Sequence, residues 1–155
     1  MNPVGTQLSA HFGLEEMTRS QVALRLGIPN VPGDDEVTAL RSLCAVLLEP
    51  VRSLLAVPLH VDSGFRCEAL NAYVHGAPDS AHLQGRAADC IPIGMPLREA
   101  FDLIHGSALP FDQIIIECDA WLHLSIAAFG NTPRRQALAA SVGSAPGSWR
   151  YVAVA

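Results

Sequence analysis

The chain has no lysine. All ten of its basic residues are arginines, set against fifteen acids, for a net charge of −5. Without a polybasic run nothing holds a nucleic-acid backbone or an anionic membrane surface, which excludes nucleic acid as a main partner. Cysteine is scarce and scattered: Cys44, Cys67, Cys90 and Cys118 form no C-x-x-C pair, which excludes a structural zinc knot. Long apolar runs are missing too, and none approaches the ~18 residues of a membrane span. The first residues, MNPVGTQLSAHFGLEE, lack a basic start followed by an apolar stretch, so no secretory signal is read there. The expectation is a protein made in the cytoplasm with reduced thiols, which needs a separate release step if it acts outside. There is no G-x-S-x-G elbow and no phosphate-cradling glycine loop, so serine-hydrolase and nucleotide chemistry fall away. Charged residues make up only 16% of the 155, while half are hydrophobic. That excludes disorder and leaves one domain's worth of core.

What is present is patterned. Leu8 to Gly27 reads as one or two short helices, with Thr18 as N-cap and Gly27 as stop, followed by a turn-rich connection over 28–33. Behind the acidic start Asp34-Asp35-Glu36, the residues Val37, Leu40, Leu43, Cys44, Leu47, Leu48, Val51 and Leu55 recur at helical spacing. Pro50 is set to kink or break this helix, or to open a new one. Strands are predicted at 58–63, 87–93, 112–118 and 121–127, and helices at 67–74 and 96–105. The last two strands form a hairpin. Residues 143–148 (GSAPGS) are a flexible stretch before WRYVAVA, an edge strand or a fraying end. The expected fold class is α+β: one domain over 8–142 with helices early and a small, mostly antiparallel sheet late, and an extension over 143–155.

Chemistry concentrates at three positions. His82, Asp89 and His123 are zinc-competent types on short, turn-flanked segments, and a catalytic zinc uses three protein ligands. Ser80, His82, Gly85, Ala87 and Asp89 form an S-x-H-x-x-G-x-A-x-D pattern whose Gly permits a tight turn between His and Asp. Read alone, a core histidine and a turn-capping aspartate account for the same pattern. Alternation puts Trp121, His123 and Ser125 on one face, and Gln113, Ile115 and Glu117 on one face of the preceding strand. A Glu ending a run of three Ile is unusual, because burying an unpaired carboxylate is costly. A two-residue turn at Asp119-Ala120 pairs Glu117 with Leu122 and turns it away from His123. A three-residue loop, Cys118 to Ala120, pairs it with Trp121 and turns both residues the same way. Cys90 and Cys118 are expected to alternate into the core, and Arg134-Arg135 to be a solvated face. The remaining four histidines need no function.

The combination of SGFR (63–66), Leu70-Asn71, the S-x-H-x-x-G-x-A-x-D run, FDQ (111–113) and W-x-H-x-S from Trp121 resembles the zinc-dependent D-alanyl-D-alanine carboxypeptidase family. That family includes phage L-alanyl-D-glutamate endolysins and vancomycin-resistance dipeptidases, and shares a metal-binding fold with the hedgehog signalling domain. The opening L-S-x-H-F and Thr18-Arg19-Ser20 are similar to its phage and prophage branch. The resemblance covers residues 8–135. It implies a Zn2+ cofactor held by His82, Asp89 and His123, with Arg66 as the cation beside the scissile carbonyl. Ser80 and Trp121 then line the substrate pocket. Much of the family places an acid three before the second His, where this chain has Ala120. The general base implied is therefore Glu117, with Asp119 as the alternative. The expected partner is a peptidoglycan stem peptide, acted on by a monomer. The rival is a non-catalytic zinc-binding or phage structural protein that retains the fold, which Glu117 turned away from the ligands would favour.

Overall fold

In a computed structural model, residues 5–155 are described. Residues 1–4, the start of the stretch read above for an export signal, lie outside them. Three stretches of helix lead: α1 (Leu14–Thr18), α2 (Gln21–Leu26) and a long rod running from Asp34 to Leu55. The cap of α2 is Ser20, whose hydroxyl accepts from the Ala23 N–H. Thr18 is instead the last residue of α1, with its hydroxyl donating back to the Leu14 carbonyl. The helix break thus falls two residues later than predicted. Gly27, at φ +64°, ends α2 as expected.

Pro50 does not break the rod. Between α3 (Asp34–Leu43) and α4 (Glu49–Leu55) the helix widens into a π turn, Cys44–Leu48. The Glu49 N–H reaches back to the Cys44 carbonyl. That places Pro50 in the first turn of a new α segment, where its missing N–H leaves no bond unmade. One face of the rod is sealed: Leu40, Leu43, Cys44, Leu47, Leu48 and Val51 are each 0% exposed. Burying a side chain of this size stabilises by roughly 1.5–3 kcal/mol, so this rod is the floor on which the sheet rests.

Six strands follow: β1 (Leu59–Ser63), β2 (Ala87–Pro92), β3 (Gln113–Glu117), β4 (Trp121–Ser125), β5 (Gln136–Val142) and β6 (Trp149–Ala153). Their order is β1-β2-β4-β3-β5-β6, and among the described residues β3–β5 is the one parallel pair. Two further helices, α5 (Glu68–Tyr73) and α6 (Leu97–His105), occur between strands. The chain is α+β with a mostly antiparallel sheet, as expected. One sheet face, carrying Val61, Ala88, Cys90, Ile114, Ile116, Leu122 and Leu124, joins the core with the rod. The opposite face carries the candidate chemistry.

Strand β5 has no counterpart in the sequence reading. Its residues, QALAASV, favour helix or nothing by intrinsic propensity. It is a strand because β3 offers it a parallel edge, with Ile115 beside Leu138 and Glu117 beside Ala140. The final segment pairs with it as edge strand β6. Arg134 and Arg135 are exposed, as expected of a solvated face, but both are engaged. Arg134 grips Asp112 through its backbone N–H and its guanidinium, while Arg135 bonds the Ser107 and Leu109 carbonyls and covers the Phe111 ring.

Candidate metal centre and active site

The β3–β4 connection is the three-residue loop, Cys118 to Ala120, with Glu117 directly opposite Trp121. The Ala120 N–H bonds the Glu117 carbonyl, and both Cys118 (φ 50°) and Asp119 (φ 51°) take the left-handed conformation. Asp adopts that region readily; for Cys it is strained. Cys118 consequently lies exposed in the turn and does not alternate into the core, whereas Cys90 is buried as expected. Asp119 is exposed at the same turn and is not among the residues lining the cleft. The register aligns Ser63, Asp89, His123 and Ile115 across four adjacent strands, and Glu117 emerges on that same face.

His82 comes from elsewhere. It sits in the single 3₁₀ turn Ala81–Gln84, whose N-cap is Ser80; the Ser80 hydroxyl accepts from the His82 N–H. Gly85 ends this turn at φ +67°, and a Cβ there would stand 2.5 Å from the Glu36 carbonyl oxygen. Only glycine fits both demands, so the chain turns tightly from the histidine into β2 and Asp89. The His82 Nδ1 donates to the Gly64 carbonyl at 2.6 Å, which fixes the tautomer and presents Nε2 as a lone pair. Gly64 is itself pinned: a Cβ would lie 2.3 Å from the Met17 carbonyl oxygen, which also accepts from the Phe65 N–H.

The three side chains converge. His82 Nε2 lies 3.2 Å from Asp89 Oδ1 and 3.2 Å from His123 Nδ1, and His123 Nδ1 lies 3.1 Å from Asp89 Oδ1. All three residues are buried. Ligand atoms around a tetrahedral zinc with bonds of roughly 2.0–2.1 Å stand about 3.3 Å apart. The triangle therefore already has the edges of one face of a zinc tetrahedron, with two imidazole nitrogens and one carboxylate oxygen at its corners. The donor set fits zinc chemically as well as geometrically. Burial holds the His82 imidazole below its usual range, so it stays neutral and able to ligate. Burial pushes the Asp89 carboxyl up, but the imidazoles of His82 and His123 beside it outweigh burial and hold it below the usual carboxylate range.

Arg66 holds the other oxygen of Asp89. Its Nη2 donates to Asp89 Oδ2 at 2.8 Å, its Nε to Ser63 Oγ at 3.1 Å and its Nη1 to Asn71 Oδ1 at 3.4 Å. One guanidinium N–H thus aims the aspartate, while two others anchor the guanidinium to Ser63 and Asn71. Asn71, 3% exposed, also donates to the Ala77 carbonyl and so ties α5 to the loop leading to His82. Asn30 was not foreseen. It donates to the Thr18 and Phe65 carbonyls and accepts from the Cys67 N–H, stitching the turn-rich connection beneath the SGFR segment. Its only signal in the sequence is an Asn between two prolines.

Glu117 lines the cleft beside these groups, and its Oε2 accepts from the Trp121 indole N–H at 3.0 Å. Burial, then the charge of Asp89, raises its pKa above the usual carboxylate range, against the pull of His123, Trp121 and Arg66. The cleft encloses about 760 Å3, a volume in the range of small-ligand sites. Ser80, Arg66, Trp121 and His123 line it together with Trp149 and Tyr151 from β6. His75 also lines it, while His11 is paired with Glu49 at a distant surface.

A protein-family model described as Peptidase M15 matches residues 10–125, which runs from before α1 to the last residue of β4. The chain belongs to the peptidase M15 family. Membership makes it a peptidase of a zinc-dependent family, and among the described residues of this M15 chain the His82–Asp89–His123 group offers a metal three ligands. Comparison with individually curated proteins gives no match. No helix among the described residues of this M15 peptidase is long and apolar enough to cross a membrane.

Proposed function

We propose that the chain is a zinc metallopeptidase that hydrolyses a peptide bond next to a D-amino acid in the stem peptide of bacterial peptidoglycan. The observation that carries this reading is the ligand triangle with Glu117 on the same sheet face, on the wall of one cleft. His82, Asp89 and His123 would hold the zinc, which when bound would supply Lewis acidity and lower the pKa of water towards ~7. Glu117 takes the proton of the attacking water and passes it to the leaving amine, and its raised pKa suits both halves of that shuttle. Trp121 orients the carboxylate through its indole N–H. Arg66 aims Asp89, leaving Oδ1 towards the two histidines. Ser80 braces the His82 turn at the rim of the cleft.

The peptidoglycan substrate and a phage lysin-like role rest on the motifs set out above. On that reading the enzyme acts on the cell wall after release from the cytoplasm. Glu117 facing the ligands supports hydrolysis over a non-catalytic metal-binding role. The test is digestion of purified peptidoglycan with and without chelator, followed by mass spectrometry of the products. Chelator-sensitive release is expected. Loss of a terminal D-alanine identifies a carboxypeptidase, and liberation of longer stem fragments an endopeptidase. A preparation with one zinc per chain that releases nothing from any peptidoglycan chemotype overturns the reading.

A further inference from the structure

The family match ends at Ser125, yet the cleft does not. Its far wall is the β5–β6 hairpin. Register places Ala140 beside Glu117 and Tyr151 beside Ala140, so Tyr151 stands on the same sheet face as Glu117, two strands away. At ~4.8 Å per strand their Cα atoms lie about 10 Å apart, and both residues line the cleft. Trp149, two residues earlier on β6, faces the same way, and both aromatic side chains line the cleft. The donors nearer the ligands are engaged: Arg66 with Asp89, Ser63 and Asn71, and the Trp121 indole with Glu117. Arg134, elsewhere in the lining, is held by Asp112. The Tyr151 hydroxyl has no hydrogen-bond partner among the described residues.

We propose that the C-terminal hairpin is a substrate subsite, in which Tyr151 donates a hydrogen bond to a backbone carbonyl of the bound peptide beyond the scissile bond and Trp149 packs beside that segment. The inference rests on the peptidase reading and extends it. Substrate then lies across the sheet, from the Arg66 end over the ligands and Glu117 to β6. The subsite suits an uncharged stretch of peptide: Glu117 and Asp89 both bear on Tyr151 and disfavour a free carboxylate there. Burial and those two charges also push the phenol pKa up, so the hydroxyl keeps its proton as a donor. The ligand class is a peptide that continues past the cleaved bond on this side, which a dipeptide does not do.

The test is calorimetric titration of the zinc-loaded Glu117→Gln protein, which binds without turnover, using a soluble stem pentapeptide and D-alanyl-D-alanine as probes. Adding Tyr151→Phe is expected to weaken pentapeptide binding about tenfold, the worth of one hydrogen bond from a half-exposed group, and to change dipeptide binding less than twofold. Trp149→Ala is expected to follow the same split. Unchanged pentapeptide affinity in Tyr151→Phe, or equal losses for both probes, overturns the subsite. A wild-type enzyme that cleaves no peptidoglycan, with the pentapeptide loss still present, overturns hydrolysis and leaves the subsite standing. Failure of the pentapeptide to bind without the hairpin substitutions overturns both.

Discussion

Removing the Arg66 guanidinium without removing its bulk, as in Arg66→Met, isolates the support of Asp89. The pair is close and dry: 2.8 Å between Nη2 and Oδ2, with side-chain exposures of 15% and 4%. Breaking a buried pair by deleting one partner typically costs about 3–5 kcal/mol, because the surviving charge is left buried and uncompensated. At roughly 2–4 °C per kcal/mol for a chain of this size, Tm of the chelator-treated protein is expected to fall by about 6–20 °C. The same change at Arg98, whose partner Asp102 and own side chain are 57% and 59% exposed, is a control expected to cost under about 0.5 kcal/mol. Saturating zinc supplies a second counter-charge to Asp89. The zinc-induced rise in Tm is therefore expected to be larger in Arg66→Met than in the wild type. Differential scanning calorimetry of the three proteins, with chelator and with zinc, measures all six values. Equal losses at Arg66 and Arg98 refute the buried-pair reasoning, and an equal loss with and without zinc refutes the placement of the metal on Asp89.

Three further outcomes are expected. Glu117→Gln, which keeps the shape and an acceptor for Trp121, should lower peptidoglycan hydrolysis about 10²–10⁴-fold while atomic absorption still finds one zinc per chain. Wild-type activity would remove Glu117 as the base. Cys118→Gly relieves a left-handed non-glycine residue at φ 50° and should raise stability by about 0.5–1 kcal/mol in urea titrations; a fall would show the turn unstrained. The Asp112 carboxyl is held below its usual range by the Arg134 guanidinium, against burial and aided by the Arg134 N–H. Its folded pKa lies below the unfolded value of roughly 3.9, so this contribution is complete above that pH and is lost as pH falls through the folded pKa. The stability gap between wild type and Arg134→Ala should accordingly narrow below about pH 4, and a gap constant to roughly pH 2.5 would contradict the pairing.

The parts of this structure legible in the sequence are those whose residues state their own environment. The apolar stripe from Leu40 to Leu55 announces a buried helix face, and Gly85 announces the turn that brings His82 to Asp89. Glu117 after three isoleucines was informative because its burial needs a reason, and that reason selects the three-residue loop. What stayed hidden depends on neighbours. QALAASV becomes a strand only because β3 presents an open edge, so Ala and Gln there carry no trace of it. Arg134 reads as a solvated cation and is exposed, but its pairing with Asp112 across the fold leaves no trace in the sequence. Alternation predicts Cys118 in the core, but it ends one residue earlier, where the turn begins. The part of Tyr151 is similarly invisible, because the register of two strand pairs, β3–β5 and β5–β6, decides where it stands.

The contacts at Gly64 link two processes that look unrelated. The Met17 carbonyl receives the Phe65 N–H at 2.8 Å, and the neighbouring Gly64 carbonyl receives His82 Nδ1 at 2.6 Å. Seating α1 therefore sets the angle of an imidazole 65 residues further along the chain. Such coupling is reciprocal: whatever tightens the hold on His82 Nε2 also tightens the docking of α1. Zinc at the centre is therefore expected to slow limited proteolysis of the N-terminal helices, although the protease never reaches the cleft.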